Sequence, residues 1–188
     1  MYVRDGKSRD KTWLRDGIEA MGLGEAVGEP QEYVIAVEED SDERAGFGRL
    51  CVHADESTVC ELTHIGVHQS WRDQGIGAHI IERLLTKAGD AGVEMAYILT
   101  DEPGYPTQLG FERVDDLPTP LADRRRKKAA GGDDEVVGLA IDIDDFEMPS
   151  RLRDAFKTAS GAAEEPTVDA EEFGIDADGA TYKYDTGG

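Results

Sequence analysis

The chain has 188 residues, with 41 Asp or Glu against 20 Lys or Arg and a formal net charge of −21. That length suits one ordinary domain with a modest extension. No stretch approaches the roughly 20 apolar residues of a membrane span, residues 1–20 mix acids and bases throughout, and no broad basic surface offers itself to nucleic acid. A soluble, cytoplasmic protein with neither membrane nor nucleic-acid partner is the expectation.

Three readings of the charge compete: disorder, an acidic field for a partner, and a solvated acidic coat suited to a salt-loving cytoplasm. Apolar periodicity excludes disorder for most of the chain. Acids spread over nearly every segment favour the acidic coat and a halophilic host. In roughly 1 M salt the Debye length is about 3 Å, so this charge implies nothing about a cationic substrate. Cys51 and Cys60 are too few for a disulfide framework and lack CxxC spacing, so both read as strand residues. Four histidines without ligand spacing predict no metal.

Residues 2–4 read as a short strand. Lys7–Met21 reads as a helix with Trp13, Leu14, Ile18 and Met21 near one face, ended by Gly22 and Gly24. The β-branched run Tyr33–Val37 and the segment Gly46–His53 form a hairpin across the polar "EEDSDERA" turn, and Val59–Val67 is a third strand. A helix over Gly75–Ala88 places Ile76, Ile80, Ile81, Leu84, Leu85 and Ala88 at helical spacing, closed by "GDAG". Val93–Thr100 is a strand, "LGFERV" (109–114) begins another, 118–130 is a helix and 136–144 a last core strand. Pro149 opens a helix with Met148, Leu152 and Phe156 on one face, and beyond Ala159 the Gly-, Ala- and acid-rich tail is weakly structured at best. Antiparallel strands with one strand–helix–strand crossover give an α/β (α+β) domain.

The segment "WRDQGIGA" (71–78) carries the chemistry. Strand, turn and helix N-terminus follow in order, and the first amides of a helix lack internal partners at the positive end of its dipole. Glycine at 75 and 77 removes side chains that would keep a pyrophosphate from those amides; close helix–strand packing without a ligand explains the same glycines. Neither GxGxxG nor GxxxxGK[ST] is present.

Val67 followed by Arg72-x-x-Gly75-x-Gly77-Ala78, with the next strand and Leu109-Gly110-Phe111, resembles the GNAT superfamily of acyl-CoA N-acyltransferases over roughly residues 2–146. The resemblance implies a GNAT fold: a mixed central sheet, flanked by helices, whose strands Val59–Val67 and Val93–Thr100 splay to admit the pantetheine arm of acetyl-CoA. It implies that the backbone of Ile65 and Val67 contacts that arm and the thioester, and that the amides of Arg72, Gln74, Gly75, Ile76, Gly77 and Ala78 hold the pyrophosphate. The domain would run over 1–147, with a C-terminal helix and acidic, partly disordered tail over 148–188.

Acyl transfer to an amine needs a base for the amine proton, a donor to the oxyanion near Val67 and, where the thiolate is protonated, an acid. Glu61 is the base candidate. Period-two alternation places it on one strand face with Thr63, Ile65 and Val67, and it matches by position the general-base glutamate of the histone-acetyltransferase branch. The competing reading is a strand-end carboxylate in an ion pair or in water. His64, on the opposite face, reads as a packed or surface histidine; His68 begins the turn, with contact to the acyl-CoA the minor reading, and His79 is structural or exposed. The superfamily's usual acid is a tyrosine four residues before the "GF" glycine. Here that position is Pro106, with Tyr105 one place earlier. Tyr105 is the substitute acid, or else a wall beside the pantetheine, and Pro106 biases it toward an extended conformation.

Arg124–Lys128 reads as a solvated helix face; the resemblance places it in a region bordering the acceptor site, with contact to an anionic acceptor the minor reading. "VDDLP" (114–118) is similar to the acetylglutamate-synthase branch without fixing a substrate. The sequence thus predicts an N-acetyltransferase acting on a small-molecule or protein amine, with acetyl-CoA as cosubstrate, no metal, and a homodimer left open. The alternative is an acyl-CoA-binding regulatory or partner-binding module without turnover; a nucleotide-dependent oxidoreductase is more distant.

Overall fold

The computed structural model describes residues 1–24, 28–54, 58–130 and 136–161. Its seven strands are β1 (Tyr2–Asp5), β2 (Tyr33–Val37), β3 (Arg44–Ala54), β4 (Thr58–Val67), β5 (Met95–Thr100), β6 (Glu112–Val114) and β7 (Val137–Asp142). They form one sheet in the order β1-β2-β3-β4-β5-β7-β6, antiparallel everywhere except between β4 and β5. The helices are α1 (Lys11–Ala20), α2 (Ile76–Asp90), the single turn α3 (Gly104–Thr107), α4 (Thr119–Ala130) and α5 (Ser150–Lys157). Among the described residues, no helix is long and apolar enough to cross a membrane.

The sheet has cores on both faces, which is why all five residues of β2 are buried. On one face α2 presents its predicted stripe to Val34, Leu50, Cys60 and Leu62, and Leu152 and Phe156 of α5 join this core. Burying each large aliphatic side chain of that stripe contributes about 1.5–3 kcal/mol. On the other face Leu14 and Ile18 of α1 pack on Tyr33, Ile35 and Phe47, while Leu117 and Leu121, at and before the start of α4, pack on Val59 and Leu99. α2 is the parallel crossover between β4 and β5, so its N-terminus emerges beside the C-terminal end of β4.

Where the sequence predicts a helix from Lys7, a 3-10 turn over Ser8–Asp10 precedes α1. Asp10 explains the difference, because its buried carboxylate gathers partners from three segments. It accepts from Arg4 Nη1 and Nη2 at 2.7 and 3.0 Å, from the Lys7 amide at 2.8 Å and from Arg44 Nε at 3.1 Å. Burial opposes its ionisation, yet the Arg4 and Lys7 hydrogen bonds and the Arg4 and Arg44 charges outweigh it and hold the carboxyl at about 2. Against the ordinary 3.8, such a depression contributes about 2 kcal/mol. That contribution is complete above pH 3.8 and is lost as pH falls through about 2. Asp10→Asn should therefore lower Tm by roughly 4–8 °C at neutral pH, with the two melting curves converging toward pH 2. A constant gap over that range would refute the assignment.

Beyond α5 the chain returns to the turn before α2. Ser160 exchanges two hydrogen bonds with the Gln74 side chain, and Gly161 lies against the Trp71 ring. The rest of the tail expected to be weakly structured, 162–188 with Tyr182 and Tyr184, lies outside the described residues.

Candidate active site

Parallel pairing of β4 with β5 is confined to Cys60–Ala96 and Glu61–Tyr97, although β4 continues to Val67 and β5 to Thr100. The strands therefore diverge from Glu61 onward. A cleft of about 800 Å³ adjoins the divergence, walled by Ile65, Gly66 and Val67, by Trp71, Arg72, Asp73 and the first turn of α2, and by Asp101, Glu102, Tyr105 and Gln108.

One register shift sets what faces this cleft. Gly46 and Phe47 of β3 oppose Val67 and Gly66, but Arg49 opposes Thr63, so β4 carries one extra residue opposite Gly48. His64 takes up that bulge at φ 48°, a strained value for a non-glycine residue. The predicted alternation is overturned here. Ile65 and Val67 pack with the α2-side core alongside Leu62 and Cys60, whereas Glu61 belongs to the opposite face. His64 turns to the α1 side instead, stacked on Tyr33 with its Nδ1 3.1 Å from the tyrosine hydroxyl. Burial first, and then the charges of Arg49, Arg124 and Lys128, lower its imidazole to about 4, so it is neutral at ordinary pH.

The turn into α2 is pinned by Trp71, which is fully buried and donates its indole N–H to Glu43 at 3.2 Å. Arg72 Nε reaches the Val67 carbonyl at 3.3 Å, tying the turn to the end of β4. Asp73 and Gly75 both have positive φ, and Gly75, the N-cap of α2, offers no side chain to its first amides. Those amides form an uncapped positive helix end at the cleft. Of the residues expected to hold a pyrophosphate, Arg72, Gly75, Ile76 and Gly77 line the cleft, together with Ile65 and Val67. Gln74 and Ala78 do not. The Gln74 side chain turns to Ser70 and Ser160, Ala78 is buried near the Tyr105 hydroxyl, and the Arg72 amide is engaged by Gln69.

Both glycines face protein. A Cβ at Gly75 would collide with the Leu152 carbonyl of α5, and one at Gly77 would lie 3.0 Å from the Tyr105 hydroxyl. Tyr105 is helical rather than extended as expected, because Pro106 sits in the first turn of α3, where a missing N–H costs nothing. Burial raises the Tyr105 phenol, against the opposing pull of the Ala78 amide and the Arg151 charge. It keeps its proton at neutral pH.

Glu61 is 1% exposed and does not line the cleft. Its Oε2 lies 2.7 Å from Arg124 Nε and 3.4 Å from His53 Nε2, and the same His53 nitrogen is 3.6 Å from Cys51 Sγ. The Arg124 Nε contact is a close ion pair without well-directed hydrogen-bond geometry, leaving that buried nitrogen short of a partner.

The family model described as Acetyltransferase (GNAT) family matches residues 4–112, more than half of the chain. The chain belongs to that family. Solved structures agree on the fold. The Rv2747 protein of Mycobacterium tuberculosis, solved with CoA, superposes with a TM-score of 0.63 at 18% identity, over 76% of this chain and 99% of its own. N-acetylglutamate synthase of Neisseria gonorrhoeae, with CoA and N-acetyl-glutamate, gives 0.62 at 20% over 75% of this chain and 34% of that one. An aminoglycoside 6'-acetyltransferase type Ii gives 0.55 at 20%, over 79% and 100%.

Within this GNAT chain, three features escape the sequence reading. His68 faces Trp13, ring centroids 5.6 Å apart, and does not line the cleft. His53 stands beside Glu61, though nothing in its local pattern marks it. Arg124 and Lys128 are not a merely solvated face: Arg124 pairs with Glu61, and Lys128 donates to the Leu99 carbonyl at 3.4 Å. A signal for the last pair exists, since Leu121, Arg124 and Lys128 share one helical stripe.

Proposed function

We propose that the protein is an N-acetyltransferase that moves an acetyl group from acetyl-CoA to an amine by direct attack. The observation that carries this reading is the cleft between the diverging strands, running past Ile65 and Val67 to the uncapped N-terminus of α2. The neutral amine attacks the thioester carbonyl, the C–S bond breaks, Glu61 takes the amine proton directly or through one water, and Tyr105 returns a proton to the thiolate. The first amides of α2 hold the pyrophosphate.

Thiol release from acetyl-CoA with pooled amines, measured beside calorimetric affinity, tests the reading. Affinity for acetyl-CoA without thiol release from any amine would instead support a regulatory binding module. The buried, ion-paired state of Glu61 is the observation favouring that second reading.

Tyr105→Phe tests the acid. It keeps the ring that covers Gly77 and removes only the hydroxyl. An acid should show a fall of about 10²-fold in kcat with acetyl-CoA affinity nearly unchanged. Full kcat, with chemistry shown to be rate-limiting, would leave Tyr105 as a wall.

A further inference from the structure

The family match ends at residue 112, yet α5 returns to the turn on which the acyl-CoA reading depends. α5 crosses the N-terminus of α2 closely enough that Gly75 has no room for a Cβ against the Leu152 carbonyl. The Phe156 ring stacks on His79 of α2 at 3.8 Å and 10°. Just beyond α5, the Ser160 amide donates to Gln74 Oε1 at 2.9 Å and the Ser160 carbonyl accepts from Gln74 Nε2 at 3.2 Å. At the other end of the helix, Arg151 Nη2 donates to Gln108 Oε1 at 2.7 Å, across the cleft behind α3. Residues 151–160 are thus fastened to both sides of the opening, and Arg151 and Leu152 line it.

Charge makes one of these contacts informative. The described residues lining the cleft include three carboxylates, Asp73, Asp101 and Glu102, and two cations, Arg72 and Arg151. A diphosphate brought to this wall meets the same acidic field as the rest of a −21 chain. The end of a helix offers only about half an elementary charge against it. Arg72 has turned its Nε to the Val67 carbonyl. Arg151 is held by a neutral amide oxygen, so among the described residues its charge is not offset by a carboxylate partner, and it acts on the Tyr105 hydroxyl that lies near Gly77 and Ala78. Guanidinium and helix amides converge on one stretch of the cleft. A guanidinium there can present two parallel N–H groups to phosphate oxygens, which a lone amide row cannot.

We propose that α5 is a working part of the cofactor site, with Arg151 donating to the coenzyme's diphosphate beside the first amides of α2. This rests on the acyl-CoA reading above and adds to it a side-chain ligand from outside the matched family region. The Gln108 contact is then the resting position of a side chain that swings a short way onto the ligand.

Calorimetric titration of the full chain with coenzyme A and with 3′-dephospho-coenzyme A, at one fixed salt concentration, tests it on wild type, Arg151→Gln and Arg151→Lys. Arg151→Gln should weaken both ligands equally, by about tenfold to a hundredfold, the effect of one lost hydrogen-bonded charge. Arg151→Lys should recover part of that loss, and Tm should stay at the wild-type value because the side chain is exposed. Wild-type affinity in Arg151→Gln would overturn the proposal. So would a loss confined to coenzyme A, which would put the guanidinium on the 3′-phosphate, or an equal fall in Tm and affinity in both variants, which would make Arg151 a brace for α5. A wild-type protein that binds neither ligand would overturn the acyl-CoA reading itself, a result distinct from all of these.

Discussion

Gly75→Val should cost the protein both the shape of the turn before α2 and the seat of α5. Gly75 has φ 73°, where a β-branched residue is strained by about 1–3 kcal/mol. The new side chain would also run into the Leu152 carbonyl and crowd the Phe156 amide, and these are backbone atoms that cannot rotate aside. Relief requires α5 to lift, exposing Leu152 and Phe156, each about 1.5–3 kcal/mol of burial. A total of about 4–9 kcal/mol follows from those two sources, seen as a large fall in Tm and a loss of coenzyme A affinity beyond a hundredfold. Gly77→Ala provides the contrast. Its Cβ would meet only the Tyr105 hydroxyl and ring edge, the far end of a movable side chain, so Tm should change little. If Gly75→Val melts and binds like wild type, α5 does not seat on this turn.

The two glycines also show what the sequence could and could not disclose. Their position at a strand–turn–helix junction is legible, and so is the α2 stripe, because both are local patterns of fixed period. That Gly75 is shaped by α5 is not legible, since the contact joins residues about 77 positions apart through backbone atoms that no side-chain pattern records. The β4 bulge is an intermediate case. Apolar residues fall at even positions through Cys60 and Leu62 and at odd positions through Ile65 and Val67, a phase slip that marks an inserted residue. Strict alternation across the whole strand conceals it and puts Glu61 on the wrong side relative to Ile65. The divergence of β4 from β5 has no residue signature of its own; it is read from resemblance and appears in the structure as pairing that stops at Glu61.

That stopping point gives Glu61 its interest, and Glu61→Gln should produce the largest kinetic effect. The carboxylate sits where the strands part, 1% exposed, with Arg124 and His53 as its neighbours. As the base, its loss should lower kcat by about 10²–10⁴, and the acid side of the rate profile should flatten. Acetyl-CoA affinity should hold, because Glu61 does not line the cleft proposed to bind it. A purely structural role makes a different prediction. Removing one partner of a buried pair strands the other charge at a cost of up to about 3–5 kcal/mol, reduced here because the Arg124 side chain is 39% exposed. Arg124→Gln separates the two, since it breaks the same pair while leaving the carboxylate. If Glu61 holds the proton, Arg124→Gln should retain far more turnover than Glu61→Gln at similar Tm. If Glu61 only anchors α4, the two variants should lose stability and turnover together. Equal turnover in both, or wild-type turnover in Glu61→Gln across the pH range, removes the carboxylate from the proton path and leaves the ion pair as its whole function.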